Sequence, residues 1–193
     1  MKERPILFSA PMVRALLAGR KQQTRRILKP QPQMVQGKRI APWEGDGVTL
    51  MRLLEQTGKR CPYGQPGDRL WVRESWGVSP IYDNTKPRDL KPRGMKVGYA
   101  ADDGLRGCKT RPSIHMPRWA GRITLEVTGV RVERLQDISE ADALAEGVSA
   151  ILDEMRRATP RCDFQALWQS INGPDSWAAN PWVWVIEFKR IKP

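Results

Sequence analysis

Histidine and cysteine are scarce in this sequence. The 193 residues include one histidine, His115, and three cysteines, Cys61, Cys108 and Cys162, with no C-x₂-C pair. Zinc sites usually contain such close cysteine pairs, so the spacing disfavours a metal site. An odd number of widely separated cysteines also argues against a disulfide framework. We therefore expect separate, partly buried thiols in a reducing compartment, and neither a metal nor another cofactor.

Long apolar runs are also missing. No stretch approaches the length of a membrane span. The first residues, MKERPILFSAPM, lack the apolar segment and the small-residue cleavage site of a signal peptide. The sequence therefore predicts a cytoplasmic protein with no membrane partner.

Acidic residues are few relative to basic ones. Lys and Arg number 33 against 21 Asp and Glu, which gives a net charge of +12 and a pI near 10.1. Such an excess favours a polyanionic partner, with nucleic acid first. A membrane surface is the rival, but no segment has the pattern of a basic amphipathic helix with a broad apolar face.

The first third of the chain predicts a helix and then an extended segment. Ser9 suits an N-cap, the helix covers about 11–18, and Gly19 suits the position after its end. Residues 21–28, KQQTRRIL, are expected to be extended. A turn and a strand are expected at 66–76.

Two long segments separate these elements from the rest. Residues 29–61 contain scattered Pro and Gly, with a helical turn expected near Leu53, and residues 77–117 carry five of the sixteen prolines. We expect both segments to be irregular insertions into one domain that spans residues 1–193.

The last third has clearer periodicity. Alternation at 123–127 resumes at 130–132 after a one-residue slip at Thr128-Gly129, which predicts a β-bulge. A short helix capped by Ser139 and ended by Gly147 follows, then a helix at 164–171, and then a strand at 181–191 that is apolar on both faces. The pattern predicts an α+β fold, a small, mostly β barrel with peripheral helices.

The stretch GRKQQTRR matches the pattern G-x-K-x-x-[ET]-x-R at Gly19, Lys21, Thr24 and Arg26. On this motif the chain resembles the ASCH domains, a branch of the PUA-like superfamily. The resemblance continues in PGDRLWV, in residues 123–148 and in WVWVIEF, in the same order. The whole chain, including RPSIHMPRW, also resembles ASCH-type proteins of tailed phages and prophages, which would place it in the host cytoplasm.

One small bacterial branch of that family is similar to an amidohydrolase that removes the acyl group from N4-acetylcytidine. The resemblance implies that Lys21, Thr24 and Glu146 are the catalytic residues here. Other family members have Glu in place of Thr24 and are regarded as RNA-binding or nuclease-like. Thr24 therefore favours the deacylase.

Amide cleavage needs a nucleophile, a base and a donor for the developing oxyanion. Thr24 could supply the hydroxyl, and Lys21 could be the base if its pKa is depressed by burial or by nearby cations. Glu146 is expected in the last helical turn, where the helix dipole disfavours a carboxylate and raises its pKa. Each residue also has a purely structural explanation. Lys21 could belong to a solvated basic strand end that contacts phosphate, Thr24 could be an ordinary strand residue, and Glu146 could form a surface ion pair.

The remaining candidates would bind a nucleoside or a nucleic acid, RNA more than DNA. They are Arg20, Arg25, Arg26, His115, Arg118 and Trp119, the last three within IHMPRWAGR, where basic and aromatic groups could stack a base. His115 could equally be a hydrogen-bonded loop residue. Most other tryptophans are expected in the core: Trp71, Trp76, Trp168, Trp182 and Trp184.

Three functions are compatible with these residues. The first is an amidohydrolase that removes an N4-acyl group from cytosine. The second is an RNA- or DNA-binding module that recognises a base, modified or not, and the third is a metal-independent ribonuclease that uses the same lysine as base.

Overall fold

The computed structural model describes residues 1–36, 39–92, 94–105, 107–148 and 159–191, and only the backbone of Gln36. These residues form the following strands and helices, numbered in chain order: β1 (Glu3–Leu7), α1 (Ala10–Leu17), β2 (Gln23–Ile27), β3 (Gln33–Gln36), β4 (Arg39–Pro42), α2 (Gly47–Gln56), β5 (Arg69–Arg73), β6 (Trp76–Val78), β7 (Val97–Tyr99), β8 (Thr124–Arg134), α3 (Glu140–Ala145), α4 (Pro160–Asn172) and β9 (Trp182–Ile191). In this part of the chain, no helix has the length and apolar character needed to cross a membrane.

Within the described residues, the centre of the fold is a five-stranded sheet in the order β1-β5-β8-β9-β2. β1 and β5 are parallel and the other neighbours antiparallel. Arg26 Nη2 in β2 donates to the carbonyl of Leu7 at the end of β1, 2.8 Å away, so the two edge strands meet. The expected α+β fold, mostly β with peripheral helices, is confirmed, and this contact agrees with a barrel-like architecture.

The first helix ends as expected. α1 begins after Ser9, whose side chain makes no capping hydrogen bond, and Pro11 occupies the first turn, where a missing N–H costs nothing. Gly19 has φ +74°, and its N–H donates to the carbonyl of Leu16. The chain therefore leaves α1 sharply instead of continuing along its axis.

The expected bulge lies in the longest strand. The pairing of β8 with β9 shifts register between Val127 and Gly129. Leu125 and Val127 are buried before the shift and Val132 after it. The extra residue thus returns the second half of β8 to the core face.

Strand β9 is covered on both faces, as its sequence predicts. Trp184, Ile186 and Phe188 contact the core that also contains α1 and α2. Val183 and Val185 contact a second core formed with α3 and α4. The tryptophans expected in the core are all buried: Trp71, Trp76, Trp168, Trp182 and Trp184.

Helix α3 has the ends expected from the sequence, and α4 differs from the expectation at its start. The Ser139 hydroxyl accepts from the Asp142 N–H, and Gly147 at φ +89° follows α3. α4 starts earlier than expected, because Thr159 caps it and Pro160 fits its first turn, and it ends at Gly173.

The segment 29–61 is more regular than expected. It contains the hairpin of β3 with β4 and a ten-residue helix, α2, where the sequence predicted one turn. Asp46 caps α2 by accepting from the Thr49 N–H, and the helix buries Leu50 and Leu54. Two apolar residues four positions apart lie on one face of a helix, and here that face packs against the core.

The segment 77–117, expected to be irregular, also contains regular secondary structure. β6 and β7 form a two-stranded sheet, and Trp76 lies in a separate apolar cluster with Trp71 and Met116. Short 3₁₀ turns connect the rest.

Candidate active site

The backbone around Lys21 is fixed by the ends of two helices. The Arg20 and Lys21 N–H groups both donate to the carbonyl of Ala15 in α1, and the Gln22 N–H donates to the carbonyl of Ala145 in α3. Strand β2 begins only at Gln23. In a regular strand, residues three positions apart point to opposite faces. Lys21 lies before the strand, so this alternation does not separate its side chain from that of Thr24.

The Lys21 side chain is buried, with 4% of the residue exposed. Its Nζ donates to Glu146 Oε2 at 2.9 Å and to the Glu146 carbonyl at 2.6 Å, and lies 5.3 Å from the Phe8 ring centroid. Burial lowers the pKa of Lys21 from its ordinary value, while the Glu146 carboxylate acts in the opposite direction. The amine is thus easier to deprotonate than a solvated lysine.

Glu146 is the C-cap of α3 and is buried, not paired at the surface. Its second carboxylate oxygen, Oε1, accepts from Arg25 Nη1 at 3.1 Å. The next residue, Gly147, packs tightly: a Cβ there would lie 2.9 Å from the Cβ of Lys21 and of Ala15. A glycine is needed for α3 to approach Lys21 this closely.

Arg25, a predicted ligand-binding residue, is committed to internal ion pairs. Its side chain is fully buried and contacts Glu146, Asp142 and Glu133, the last through Nε at 2.9 Å. Arg131 extends the network by pairing with Glu133 and Asp142. Arg25 therefore neutralises buried carboxylates, and it fixes Glu146 from the side opposite Lys21.

Lys21, Thr24 and Glu146 line one cavity of about 460 Å³. Thr24 is buried in β2, and its hydroxyl has no hydrogen-bond partner within the described part of the chain. It does not contact Lys21 or Glu146 by a hydrogen bond, so it remains available to a ligand. The rest of the wall is largely apolar: Leu7, Phe8, Met12, Ile27, Phe164, Leu167, Trp168 and Ile171.

Arg26 is the second arginine at this cavity. Its guanidinium lies 5.5 Å from the ring centroid of Phe8 and 5.9 Å from that of Tyr63, and Nη2 is bonded to Leu7. The side chain is held in place and half-buried.

Four predicted binding residues lie elsewhere. Of the residues described, those lining the cavity do not include Arg20, His115, Arg118 or Trp119. Arg20 and His115 are exposed. Arg118 forms two 2.8 Å hydrogen bonds with Glu3, and Trp119 packs edge-on against Trp76 at 6.0 Å. Of the segment 111–119, Ser113 lines the cavity, while Met116 and Trp119 pack in the Trp76 cluster, so the aromatic residue of this segment forms no base-stacking wall at Lys21.

The apolar wall was not identified from the sequence as part of a site. It combines the end of β1, helix α1, β2 and helix α4, which are distant in sequence. The periodicity of Phe164, Leu167 and Trp168 indicates a buried helix face, but not that this face borders a cavity.

A second cavity, of about 600 Å³, lies at the start of β1. Its lining includes Lys2, Arg4, Lys59, Arg60 and Cys61. Arg4 pairs with Asp68 at 2.9 Å.

Comparison with known proteins gives one structural similarity. No protein-family model matches the chain, and no curated protein matches it. Among solved structures, the chain is similar to an ASCH domain from Lactobacillus crispatus JV V101, with 14% sequence identity and a TM-score of 0.42, over 98% of this chain and 79% of that one. A similarity of this degree supports no statement about activity or ligand.

Proposed function

We propose that this protein is an amidohydrolase that removes an N4-acyl group, such as acetyl, from cytosine in a nucleoside or nucleic acid. The observation that carries the proposal is the buried Lys21, whose pKa is lowered by burial, bonded to Glu146 in a cavity that it shares with the unpartnered Thr24 hydroxyl. The sequence resemblance assigns catalysis to the same three residues. Arg26, which completes the motif, borders the same cavity.

The residues suit a two-step acyl transfer. The neutral Lys21 amine takes the proton of the Thr24 hydroxyl as Oγ1 bonds to the acyl carbon. The C–N4 bond then breaks, and the Lys21 ammonium returns the proton to N4, releasing the cytosine amine. Water then gives a proton to Lys21 as its oxygen bonds to the acyl carbon of the threonine ester. The bond from the acyl carbon to Oγ1 breaks, the Lys21 ammonium returns the proton to Oγ1, and the released carboxylic acid loses its own proton to solvent. Glu146 holds Nζ in position and stabilises the transient ammonium.

The test is to incubate the protein with N4-acetylcytidine and, separately, with acetylated RNA, and to measure cytidine by chromatography after digestion of the RNA. The Thr24→Val variant keeps the shape and removes the nucleophile, so turnover should fall about 100-fold or more. Thr128→Val, the same substitution at an exposed threonine that does not line the cavity, is the matched control and should keep full activity. Absence of cytidine release from both substrates would contradict the proposal.

The second candidate, a nucleic-acid-binding module, is favoured by the net charge of +12. RNA binding should then weaken as salt rises, with a log–log slope of about 0.7 per neutralised phosphate for a single strand. Steep salt dependence without cytidine release would support binding alone. Cleavage of unmodified RNA in the presence of a chelator would support the metal-independent ribonuclease instead.

A further inference from the structure

The Lys21 cavity contains two buried hydrogen-bond donors without acceptors. Trp168 Nε1 and Arg26 Nε are buried atoms with no hydrogen-bond partner in the described structure, and both residues line this cavity. Trp168 is 5% exposed, so bulk water does not solvate its indole N–H. A buried donor left unpaired is unfavourable, and in native proteins it calls for an explanation.

The acceptors of Glu146 and Leu7 are already used. Both Glu146 carboxylate oxygens and its carbonyl accept from Lys21 or Arg25. The carbonyl of Leu7 accepts from Arg26 Nη2. The cavity is also lined by the Thr24 hydroxyl and by the polar side chains of Ser9, Ser75, Ser113 and Asn172. The two N–H donors that lack acceptors favour a ligand that presents an acceptor to Trp168 and Arg26.

Shape and size narrow the ligand further. Phe8, Phe164 and Trp168 supply aromatic surface, and about 460 Å³ is in the range of pockets for a single small ligand. Aromatic walls suit a planar ring. An N4-acylated cytosine fits this chemistry, because it presents two carbonyl oxygens and a ring nitrogen against one amide N–H.

We propose that Trp168 is a substrate-binding residue: its indole N–H donates to a carbonyl oxygen of an acylated pyrimidine base held in the Lys21 cavity, and Nε–H of Arg26 supplies a second donor to that ligand. This inference rests on the proposed function for the identity of the ligand. It adds a specificity-determining residue from α4, which lies outside the motif that carries the resemblance.

The experiment follows the Trp168 indole proton by NMR. Protein with ¹⁵N-labelled tryptophan and the Thr24→Val substitution, which prevents turnover, is titrated with N4-acetylcytidine and with cytidine. The Trp168 signal is assigned by its loss in Trp168→Phe. We expect it to move downfield with N4-acetylcytidine; a shift with cytidine as well assigns the ring oxygen, and a shift with N4-acetylcytidine alone assigns the acyl oxygen.

Affinity gives the second readout. Trp168→Phe keeps an aromatic ring and deletes the N–H, so the Kd for N4-acetylcytidine should rise about tenfold. Trp177→Phe is the matched control, because Trp177 packs on Phe164 at 6.3 Å but does not line the cavity. An unmoved Trp168 signal with equal affinity in the two variants, or no binding of either nucleoside, overturns the inference.

The two proposals fail separately. Cytidine release by the unsubstituted protein with an unmoved Trp168 signal refutes this inference and leaves hydrolysis standing. A shifted signal without cytidine release supports this inference and refutes hydrolysis.

Discussion

The two cavities described above place ionisable side chains in opposite ways. The larger one is bordered by several basic residues that are exposed or half-buried, Lys2, Arg4, Lys59 and Arg60. The smaller one has its lysine and its glutamate withdrawn from water and bonded to each other. The larger cavity is lined by more basic residues than the smaller one. The charged groups of the smaller cavity are more strongly desolvated.

The same desolvation has opposite chemical consequences in the two places. In the larger cavity, burial raises the pKa of the Cys61 thiol to about 11, so the sulfur stays protonated at neutral pH and is a poor nucleophile. In the smaller cavity, burial lowers the pKa of Lys21, so a larger fraction of the amine is unprotonated and able to accept a proton than in a solvated lysine. Burial therefore disfavours the nucleophilic form of the thiol in one cavity and favours the proton-accepting form of the amine in the other, a difference that cavity size and the number of charges do not reveal.

The largest expected effect comes from exchanging a lysine in each cavity. Lys21→Met should reduce turnover of N4-acetylcytidine about 100-fold or more, because the base is lost while the aliphatic volume is kept. Lys59→Met, in the larger cavity, should leave turnover unchanged. Chromatography of released cytidine measures both, with an unfolding curve for each variant. Equal loss of activity in the two variants would erase the distinction between the cavities.

The next effect is on stability. Glu146→Gln leaves Lys21 and Arg25 without their shared carboxylate in a buried site, which should cost about 3 kcal/mol of unfolding free energy. Glu55→Gln, exposed in the larger cavity, should change the same quantity by less than about 0.5 kcal/mol. Denaturant titrations of both variants provide the comparison, and a similar small change in both would show that the buried pairs contribute little.

The pH dependence of stability should have opposite signs for the two buried groups. Between the lowered pKa of folded Lys21 and its ordinary 10.5, the unfolded chain binds the proton and the folded one does not, so this group makes stability rise with pH. Between 9.0 and about 11, folded Cys61 keeps a proton that the unfolded chain has lost, so stability falls with pH.

Substitution of each residue should remove its contribution to the change of stability with pH. Denaturation midpoints measured at intervals from about pH 8 to 11 should have a more negative slope against pH in Lys21→Met, and a more positive slope in Cys61→Ala, than in the unsubstituted protein. Slopes that are unchanged by both substitutions would mean that neither group titrates differently in the folded state.

The smallest effect concerns the ion pair of the larger cavity. Hydrogen bonds from the Lys2 backbone N–H and the Arg4 side chain lower the pKa of Asp68 to about 2. Its contribution is present above the ordinary carboxylate pKa of 3.8 and is lost as pH falls towards about 2. Asp68→Asn should flatten the stability profile across that acid interval with unchanged turnover at neutral pH. An unaltered acid profile would contradict this assignment.

Local signals in the sequence predicted the elements that local signals control. Gly19, the slip at Thr128-Gly129 and the Ser139 cap each act within a few residues, and each appears in the structure as expected. The length of helix α2 was underestimated because Gly45 and Gly47 lie on either side of its N-cap and disfavour a helix there. The packing of Leu50 and Leu54 against the core stabilises the helix. Packing of that kind is a tertiary property.

In the candidate site, too, some residues were predicted from the sequence, whereas contacts made by tertiary packing were not. The family resemblance implied Lys21, Thr24 and Glu146, which the structure brings to one cavity. The commitment of Arg25 to three carboxylates could not be predicted, because its partners come from β8 and α3. The local composition around Trp119 suggested a binding loop, but composition does not indicate which cavity a loop will border.

The contact between Lys21 and Glu146 joins residues that are 125 positions apart in the chain. The contact requires the residue before β2 and the C-cap of α3 to lie in their native positions, so it is absent from the unfolded chain. The buried ion pair is consequently also a marker of the folded state: along a denaturant series, the Lys21 amine should lose its unusual acidity at the same concentration at which the sheet comes apart.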